Sequence, residues 1–561
     1  MLQQEPVQAN DKKGKKNKNK NKEKSPDDSH SPLPASPGVY APPAQTNGDH
    51  QVEEPEGVQL PVEQLELKSE VEPGNAILND FKQDLGVRAS RPPETRTTSA
   101  FPSLEEQVHL LSLKEGEHQR PSGRASDAVL FSPGLETVGY ETPAQYALLG
   151  HLPGADGAAA GADPRVMLNT NVPFSAFICG LQGSGKSHTT SCIIENCSFG
   201  LEALGRLQKP LSTLVLQFNE YSSHGSSQPS EAAFLASVLA EYSADVRSIP
   251  VTVLVSPSNY HPLRQMYSQI PNVQVRPFRL QPRHLNISTM LALMSLGRKD
   301  AMPLYMAQVT KLLRQMAMES TSGAFDYLAF RRRLTGLHLD RSQTPFLDQR
   351  LDLLDSFLDL EPRTAASPPG DYFVDGGITI LDLSCPFMDE STACILFRIA
   401  IDLFLHAHPS RGKMIVADEA HKYMTDTPAG HALTETFMTV MRQQRHLGVR
   451  LIVSTQEPTI SPRLIDLCSI TIVHRFSSPE WYQTIQKHIA VESDDDPSPS
   501  SPSDGLARIS RLRTGEALVF APSAVLREGD TDIKDVRQRT FKMMVRKRIT
   551  WDGGQTIVCI R

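Results

Sequence analysis

Gly180-Leu-Gln-Gly-Ser-Gly-Lys-Ser187 is the stretch of this sequence that most strongly constrains the fold. It fits the pattern Gly-x-x-x-x-Gly-Lys-Ser/Thr, whose glycines let the backbone turn sharply and aim N–H groups at phosphate oxygens. Lys186 can then reach the β- and γ-phosphates of a nucleotide, and the Ser187 hydroxyl can bind Mg²⁺. The residues predicted to bind ATP are Gly180, Gly183, Ser184, Gly185, Lys186, Ser187 and His188.

The sequence on each side of this loop supports phosphate binding over the alternative of a glycine loop that merely turns the chain. Residues 174–179 form a short apolar run that predicts a buried strand. Residues 189–197 have helical spacing, with Ile193 and Ile194 on the inner face. Strand, glycine loop and helix are the arrangement that the chemistry needs, because the positive end of the helix dipole adds to the attraction for phosphate.

A second apolar stretch, residues 413–417, ends in the two acids Asp418 and Glu419. At the carboxyl end of a strand, the first acid can hold Mg²⁺ directly or through water, and the second can polarise an attacking water molecule. We therefore expect Asp418 to be a metal ligand and Glu419 to be the general base. An Asp-Glu pair after a strand is weak evidence alone, and it becomes strong in combination with the glycine loop.

A third apolar stretch, residues 451–454, is followed by Thr455 and Gln456. In phosphate-loop ATPases with a catalytic glutamate, this strand lies between the loop strand and the acidic strand. Gln456 then stands near the γ-phosphate and takes part in catalysis. The alternative interpretation is a polar residue at a strand end that caps a neighbouring helix.

From about residue 164, strands alternate with helices, which is typical of an α/β domain. The predicted fold class is α/β, a RecA-like P-loop NTPase core with a mostly parallel sheet flanked by helices, a helical insert and a long disordered N-terminal tail. The candidate strands are 173–179, 211–218, 251–255, 378–383, 414–417, 451–454 and 470–474, and the candidate insert helices are 285–296, 303–318, 324–334 and 345–360. The predicted organisation begins with a disordered segment at 1–125, which is Lys-rich and then Pro/Ser/Glu-rich, and a linker at 126–163. The core follows in two parts, at 164–283 and 363–548, and the helical insert at 284–362 separates them. An acidic loop at 492–504 lies within the second part, and a C-terminal tail occupies 549–561.

The amino-acid composition limits the kinds of protein that this chain can be. Hydrophobic residues make up 39% and prolines number 42, which is lean for a chain folded throughout and favours disorder in the tail. A net charge of −7 gives no global basic field, although a basic surface for nucleic acid remains compatible with it. The seven cysteines form no Cys-x-x-Cys pair, which indicates a reducing compartment. Without an apolar leader or a bilayer-spanning run, we expect a soluble intracellular protein that does not contact membrane.

The lysine-rich stretch of residues 12–24 leaves three alternatives open: a nuclear address, a tether to nucleic acid, or a solubilising tail. It favours the nucleus weakly over the cytoplasm. The Pro/Ser-rich sequence that follows is typical of segments that dock protein partners.

Residues 418–421 spell Asp-Glu-Ala-His, the motif of superfamily 2 helicases. Those enzymes use two tandem RecA-like domains, and their two nucleotide motifs are much closer together than Lys186 and Asp418, which are 418 − 186 = 232 residues apart. We therefore interpret His421 as a residue at a helix start.

The sequence resembles the HerA–FtsK superfamily of ring-forming P-loop ATPases. The resemblance rests on the glycine loop at 180–187, on Ile-Val-Ala-Asp-Glu-Ala-His-Lys at 415–422, on the Arg-x-x-Gly, strand, Thr-Gln-x-Pro order at 445–458, and on Gly-Glu-Ala at 515–517. More narrowly, residues 169–180 and 548–554 are similar to a group of large fungal P-loop NTPases.

The resemblance implies a homo-hexamer with ATP sites between subunits, each completed by a neighbour's arginine. Arg445 matches the Arg-x-x-Gly position, Arg442 lies nearly a turn earlier, and Arg475 ends a strand. The alternative is that each is a solvated surface arginine. HerA proteins begin with a β-barrel, for which residues 126–163 are too few.

Three hypotheses for function follow. The first is a Mg-dependent ATPase that translocates nucleic acid, with Arg276, Arg279, Arg283 and Arg331-Arg332-Arg333 either lining a pore or lying on solvated faces. The second is a nucleotide-switched scaffold that binds proteins and turns over slowly. The third is a relative that binds ATP without hydrolysis, which the Asp418-Glu419 pair disfavours.

Overall fold

The computed structural model describes residues 127–135, 140–153, 163–219, 228–294, 304–320, 325–336, 344–360, 372–458, 460–489, 502–528, 532–534, 536 and 539–553. The predicted disordered tail at 1–125, most of the acidic loop at 492–504 and the end of the C-terminal tail lie outside these residues. Helices and strands are numbered below in chain order.

Eight parallel strands form the centre of the sheet within the described part of the chain. They are β4 (Ser175–Cys179), β6 (Ser212–Gln217), β7 (Val251–Val255), β8 (Val273–Pro277), β9 (Ile378–Asp382), β10 (Lys413–Ala417), β11 (Val449–Thr455) and β12 (Ile470–Val473). Their order is β12-β4-β11-β10-β6-β9-β7-β8, so β11 lies between the loop strand and the acidic strand, as the sequence predicts. Most are apolar runs because both faces of the sheet are covered.

An antiparallel extension continues the sheet beyond β12. It consists of β1 (Leu130–Phe131), β2 (Tyr146–His151), β3 (Arg165–Leu168), β5 (Gly205–Arg206), β13 (Glu516–Phe520) and β16 (Phe541–Val545). β14 (Leu526–Glu528) and β15 (Asp532–Lys534) form a separate hairpin.

The interpretation of residues 126–163 as a linker requires correction, because β1 and β2 lie within it and belong to the main sheet. Ala147 and Leu149 of β2 are buried in the core, and so is Leu130 of β1. These strands are short and are interrupted by glycine- and proline-containing sequence, so they carry little periodic signal of their own.

Alternate residues of the central strands face two hydrophobic cores. On one face, Phe177, Leu216 and their equivalents pack with the insert and the later helices. On the other face, Ile178 and Val215 pack with the helix that follows the glycine loop and with a short 3₁₀ helix, Glu231–Ala236. The helices are α1 (Lys186–Ser198), α2 (Tyr260–Tyr267), α3 (Ile287–Met294), α4 (Leu304–Glu319), α5 (Tyr327–Thr335), α6 (Thr344–Phe357), α7 (Glu390–His406), α8 (Pro428–Leu447), α9 (Pro462–Asp466), α10 (Pro479–Ile485) and α11 (Pro502–Ser510).

The ends of the longer helices follow from local sequence. Asp389 and Thr427 begin α7 and α8, and their side chains accept hydrogen bonds from backbone N–H groups of the first turn. Gly448 ends α8 at φ 62°, a conformation that suits glycine. The four predicted insert helices correspond to α3–α6. Among the helices of the described residues, none has the length and apolarity needed to cross a bilayer.

The end of the predicted core and the start of the predicted C-terminal tail at 549–561 pack against α1. Arg546 Nη1 donates to Glu195 Oε2 of α1 at 2.8 Å, and Thr550 Oγ1 donates to Glu195 Oε1 at 2.6 Å. Arg546 Nη2 also donates to Asn196 Oδ1 at 2.8 Å. We call residues 546–553 the C-terminal strap. The strap satisfies a carboxylate that would otherwise be buried and unpaired, since the Glu195 side chain is 0% exposed.

We expect Glu195→Gln to lower the free energy of unfolding by about 3–5 kcal/mol, because it leaves the Arg546 charge buried without its partner. Urea unfolding followed by circular dichroism measures this loss. Glu202→Gln, at an exposed position after α1, is the control and should change stability by less than about 0.5 kcal/mol. Equal stability of the two variants would show that the strap does not hold α1.

Candidate active site

The glycine loop joins β4 to α1, and its backbone adopts conformations that favour glycine over residues with side chains. Gly180, Gly183 and Gly185 have φ values of 152°, 72° and 114°. A Cβ atom on Gly180 would lie 2.7 Å from both the Cβ of His474 and the Oγ of Ser184. On Gly185 it would lie 3.2 Å from the backbone nitrogen of Gly515. Glycine is therefore required both by conformation and by the close approach of neighbouring chain.

Lys186, the first residue of α1, is buried, and its ammonium group donates to the backbone oxygen of Leu181 at 3.2 Å. Burial lowers the pKa of Lys186, and the nearby carboxylates of Glu419 and Asp418 act in the opposite direction. The lysine of the glycine loop and the Asp-Glu pair therefore share one electrostatic environment, although they are far apart in sequence.

Asp418 follows β10, and its backbone N–H donates to Leu216 of β6 at 3.1 Å. Burial, reinforced by the charge of Glu419, raises the pKa of Asp418 to about 7. The next residue, Glu419, has φ 47°, which is unusual for a residue with a side chain. Such backbone conformations are found at functional sites, where the surrounding structure maintains them.

Gln456 contacts Glu419 directly. Its Nε2 donates to Glu419 Oε1 at 2.8 Å. The other carboxylate oxygen, Oε2, is buried and accepts no hydrogen bond from the described residues. His421 Nδ1 lies 3.4 Å from that oxygen, and burial lowers the pKa of His421, which favours the neutral ring. Gln456 is thus a partner of the acidic pair rather than a helix cap, and Glu419 retains one oxygen for a water molecule.

Ser187 and Asp418 line one small cavity between α1, the sheet and the 3₁₀ helix Glu231–Ala236. Thr190, Ser191 and Glu231 also contribute to its wall. Hydroxyl and carboxylate oxygens are the ligands that Mg²⁺ prefers. Nowhere in the described ranges do three His, Cys, Asp or Glu side chains form a closed metal cage. This donor set fits an ion such as Mg²⁺, which is held by few protein groups and by phosphate oxygens.

His474 lies directly behind the glycine loop, and sequence reasoning missed it. Its Nδ1 is 3.0 Å from the backbone oxygen of Glu516, so Nδ1–H donates there. Nε2 must then accept, and the Thr189 hydroxyl donates to it at 2.9 Å. His474 therefore connects α1, β12 and β13 as a neutral ring. The only sequence signal was its position at the end of a candidate strand.

The side chains of other predicted site residues lie elsewhere. His188 Nε2 donates to the backbone oxygen of Arg546 at 2.8 Å, so this side chain contacts the strap. Arg445 is exposed in the last turn of α8, at the edge where β11 begins, and the glycine loop and acidic pair are at the opposite edge. Arg475 is exposed beside the loop, and its backbone oxygen accepts from Leu181 N–H at 3.0 Å.

No protein-family model and no curated protein matches the sequence. Among solved structures, the fold is similar to VirB4 of Thermoanaerobacter pseudethanolicus, with 10% identity, a TM-score of 0.42 and coverage of 72% of this chain and 98% of that chain. The plasmid coupling protein TrwB in complex with ADP and Mg²⁺ has 14% identity, a TM-score of 0.39 and coverage of 73% and 96%. The genome packaging NTPase B204 from Sulfolobus turreted icosahedral virus 2 has 11% identity, a TM-score of 0.25 and coverage of 63% and 92%. At these TM-scores the likenesses assign no activity to this chain.

The buried ring of His474 predicts a pH dependence of stability. Burial lowers the pKa of His474 from 6.5 to about 4. The unfolded chain therefore takes up the proton more readily than the folded chain. Its contribution to stability is complete above pH 6.5 and is lost as the pH falls toward 4, by on the order of 3 kcal/mol.

The measurement is the free energy of unfolding between pH 7 and pH 4.5 for the wild type and for His474→Asn. The variant should lose less stability over this range than the wild type, since the carboxylates titrate in both. His446→Asn, at an exposed position of α8, should follow the wild-type curve. Parallel curves for the wild type and His474→Asn would contradict the prediction.

Proposed function

We propose that this protein is a magnesium-dependent ATPase that binds ATP at the carboxyl edge of the parallel sheet. The observation that supports this most directly is the proximity of Lys186 to Asp418 and Glu419, whose charges act on its pKa, together with the hydrogen bond from Gln456 to Glu419. A lysine that merely begins a helix has no need of an acidic pair nearby. A lysine that balances phosphate charge beside a metal ion has such a need.

The proposed reaction is in-line attack of water on the γ-phosphate. Backbone N–H groups of residues 180–187 and the Lys186 ammonium group stabilise the negative charge that develops on the phosphate oxygens. Ser187 and Asp418 would hold Mg²⁺, which would supply positive charge beside the phosphates. Glu419 uses its unpaired Oε2 to polarise the attacking water. Gln456 fixes the Glu419 carboxylate through Oε1.

We further propose that the active form is a ring, a homo-hexamer by the resemblance to HerA–FtsK ATPases. Arg445 supports this proposal because it is exposed at the sheet edge opposite to its own glycine loop. In a head-to-tail ring, that edge of one subunit can face the loop edge of the next. Arg445 then completes the site of a neighbour and stabilises the charge of the transition state.

Exposed arginines on the surface favour translocation of nucleic acid as the process that ATP hydrolysis drives. Arg276, Arg279 and Arg283 are exposed at or after the carboxyl end of the edge strand β8, where they can contact phosphates. The second arginine cluster, at residues 331–333, gives less support to nucleic-acid binding because two of its members are paired with acids. Arg331 pairs with Asp355 at 2.8 Å, and the neighbouring Arg333 pairs with a glutamate of α4.

We expect Lys186→Ala to abolish ATP binding and hydrolysis, because the buried ammonium group is lost from the phosphate site. We expect Glu419→Gln to lower kcat by about 10²–10⁴-fold while ATP still binds, since only the base is removed. Phosphate release and the binding of a fluorescent ATP analogue are the two measurements.

Lys487→Ala, at an exposed position after α10, is the control and should behave as the wild type. Normal turnover by Glu419→Gln would show that the base is a different residue. Wild-type protein that fails to bind ATP in the presence of Mg²⁺ would overturn the proposed function.

The ring predicts complementation between two inactive variants. The Lys186→Ala subunit still carries Arg445, and the Arg445→Ala subunit still carries an intact glycine loop. In mixed oligomers, some sites between neighbouring subunits should therefore contain both groups and recover ATPase activity. Arg442→Ala, about one turn earlier on α8, is the matched control and should retain activity alone. If mixing restores nothing, Arg445 does not act on a neighbouring subunit.

The motor and the scaffold hypotheses give different results in one experiment. A motor predicts that single- or double-stranded nucleic acid stimulates the ATPase rate, and that light scattering after size exclusion gives the mass of a hexamer. A slow rate that nucleic acid does not change, in a protein that captures partners only with ATP bound, would favour the scaffold.

A further inference from the structure

The cavity that Ser187 and Asp418 line contains a second acid, Glu231, which sequence reasoning did not single out. Glu231 is the first residue of the 3₁₀ helix that packs against α1. It therefore approaches the predicted metal ligands from a third part of the chain, distinct from the glycine loop and the acidic strand.

The same cavity contains a hydroxyl group whose bonding is incomplete. Thr190 lies on the face of α1 that carries Ser187, and it is only 6% exposed. Its Oγ1 is buried and has no hydrogen-bond partner among the described residues. A buried hydroxyl without a partner costs about 1–3 kcal/mol, and this one offers a hydrogen-bonding position to a further group in the cavity.

The 3₁₀ helix that carries Glu231 is fixed from behind by a buried pair. The backbone N–H of Ser230 donates to the hydroxyl of Tyr267 at 3.0 Å, and that hydroxyl donates to Asp382 Oδ2 at 2.7 Å. Tyr267 and Asp382 are almost completely buried. The residue immediately before Glu231 is therefore held in place by the sheet itself, since Asp382 ends β9.

The C-terminal strap holds the carboxylate of Glu231 from the other side. Arg548 Nη1 lies 3.4 Å from Glu231 Oε2, and the backbone N–H of Gly553 also donates to this carboxylate. Arg548 in turn lies 3.9 Å from Glu195 in α1. One network thus fixes the backbone just before Glu231, and the other positions its carboxyl group at the wall of the cavity.

We propose that Glu231 is a third acidic residue of the magnesium site and accepts hydrogen bonds from water molecules of the bound ion. This inference rests on the proposed ATPase function. Mg²⁺ gives up its water reluctantly and keeps several water molecules in most protein sites. Ser187 and Asp418 hold the ion, Glu231 orients its water from another part of the cavity wall, and the Thr190 hydroxyl accepts a hydrogen bond from the same water. Glu231 is a positioning residue for the metal, and the strap connects it to the far end of the described chain.

The test measures metal affinity rather than turnover. Mn²⁺ replaces Mg²⁺ because its electron paramagnetic resonance signal reports free and bound ion, and a non-hydrolysable ATP analogue is kept at saturation. We expect Glu231→Gln to weaken Mn²⁺ binding by about 10-fold, as is typical for loss of a residue that orients a metal's surroundings. Analogue binding in excess chelator should not change, whereas a purely structural role would weaken both.

Glu241→Gln is the matched control, because Glu241 is exposed in the next short 3₁₀ helix and should leave Mn²⁺ affinity unchanged. Thr190→Val keeps the shape of the side chain and should weaken Mn²⁺ binding by a smaller factor than Glu231→Gln. If Glu231→Gln fails to fold, Glu231→Asp keeps the charge for Arg548 but retracts it from the cavity, and it should weaken Mn²⁺ binding several-fold.

The outcomes separate this inference from the function on which it rests. Wild-type protein that binds no Mn²⁺ in the presence of the analogue would overturn the ATPase proposal. Tight Mn²⁺ binding by the wild type, with the same affinity in folded Glu231→Gln or Glu231→Asp, would leave the ATPase in place and overturn the role of Glu231.

Discussion

The attraction between one buried cation and a half-buried pair of acids is the constraint on which the rest of the structure depends. Lys186 is buried after the end of β4, and Asp418 and Glu419 are half-buried at the end of β10. Burial favours the neutral form of the lysine, and the two nearby carboxylates favour its charged form. The order β4-β11-β10 makes the proximity possible, because parallel strands bring their carboxyl ends to one edge of the sheet.

The rest of the site is built around this arrangement. β11 lies between β4, which leads into the glycine loop, and β10, which leads into the acidic pair. It places Gln456 within hydrogen-bonding distance of Glu419. His474 supports the glycine loop from the next strand, β12, on the other side of β4. Each group is therefore placed by a strand end, which is a rigid position, while the strained backbone at Glu419 is kept by the packing of β10 between two neighbours.

Sequence alone was sufficient for the fold class, and it located the glycine loop and the acidic pair at strand ends, because these signals are local. Continuous apolar runs predict the central strands, and glycines with a following lysine predict the loop. Glu195, Glu231 and His474 were missed because their roles come from contacts with distant segments. A glutamate in a helix usually lies at the surface, and nothing near Glu195 in the sequence indicates that Arg546 will bury it. The strands within 126–163 were missed because they are too short to show a period.

The C-terminal strap affects the order in which parts of the chain can finish folding during synthesis. Glu195 and Arg546 are 351 residues apart, so α1 leaves the ribosome on the order of tens of seconds before its counter-ion. Until then, the helix that follows the glycine loop carries an inward-facing charge with no partner. The packing of α1 during synthesis is therefore incomplete until the strap has also been made.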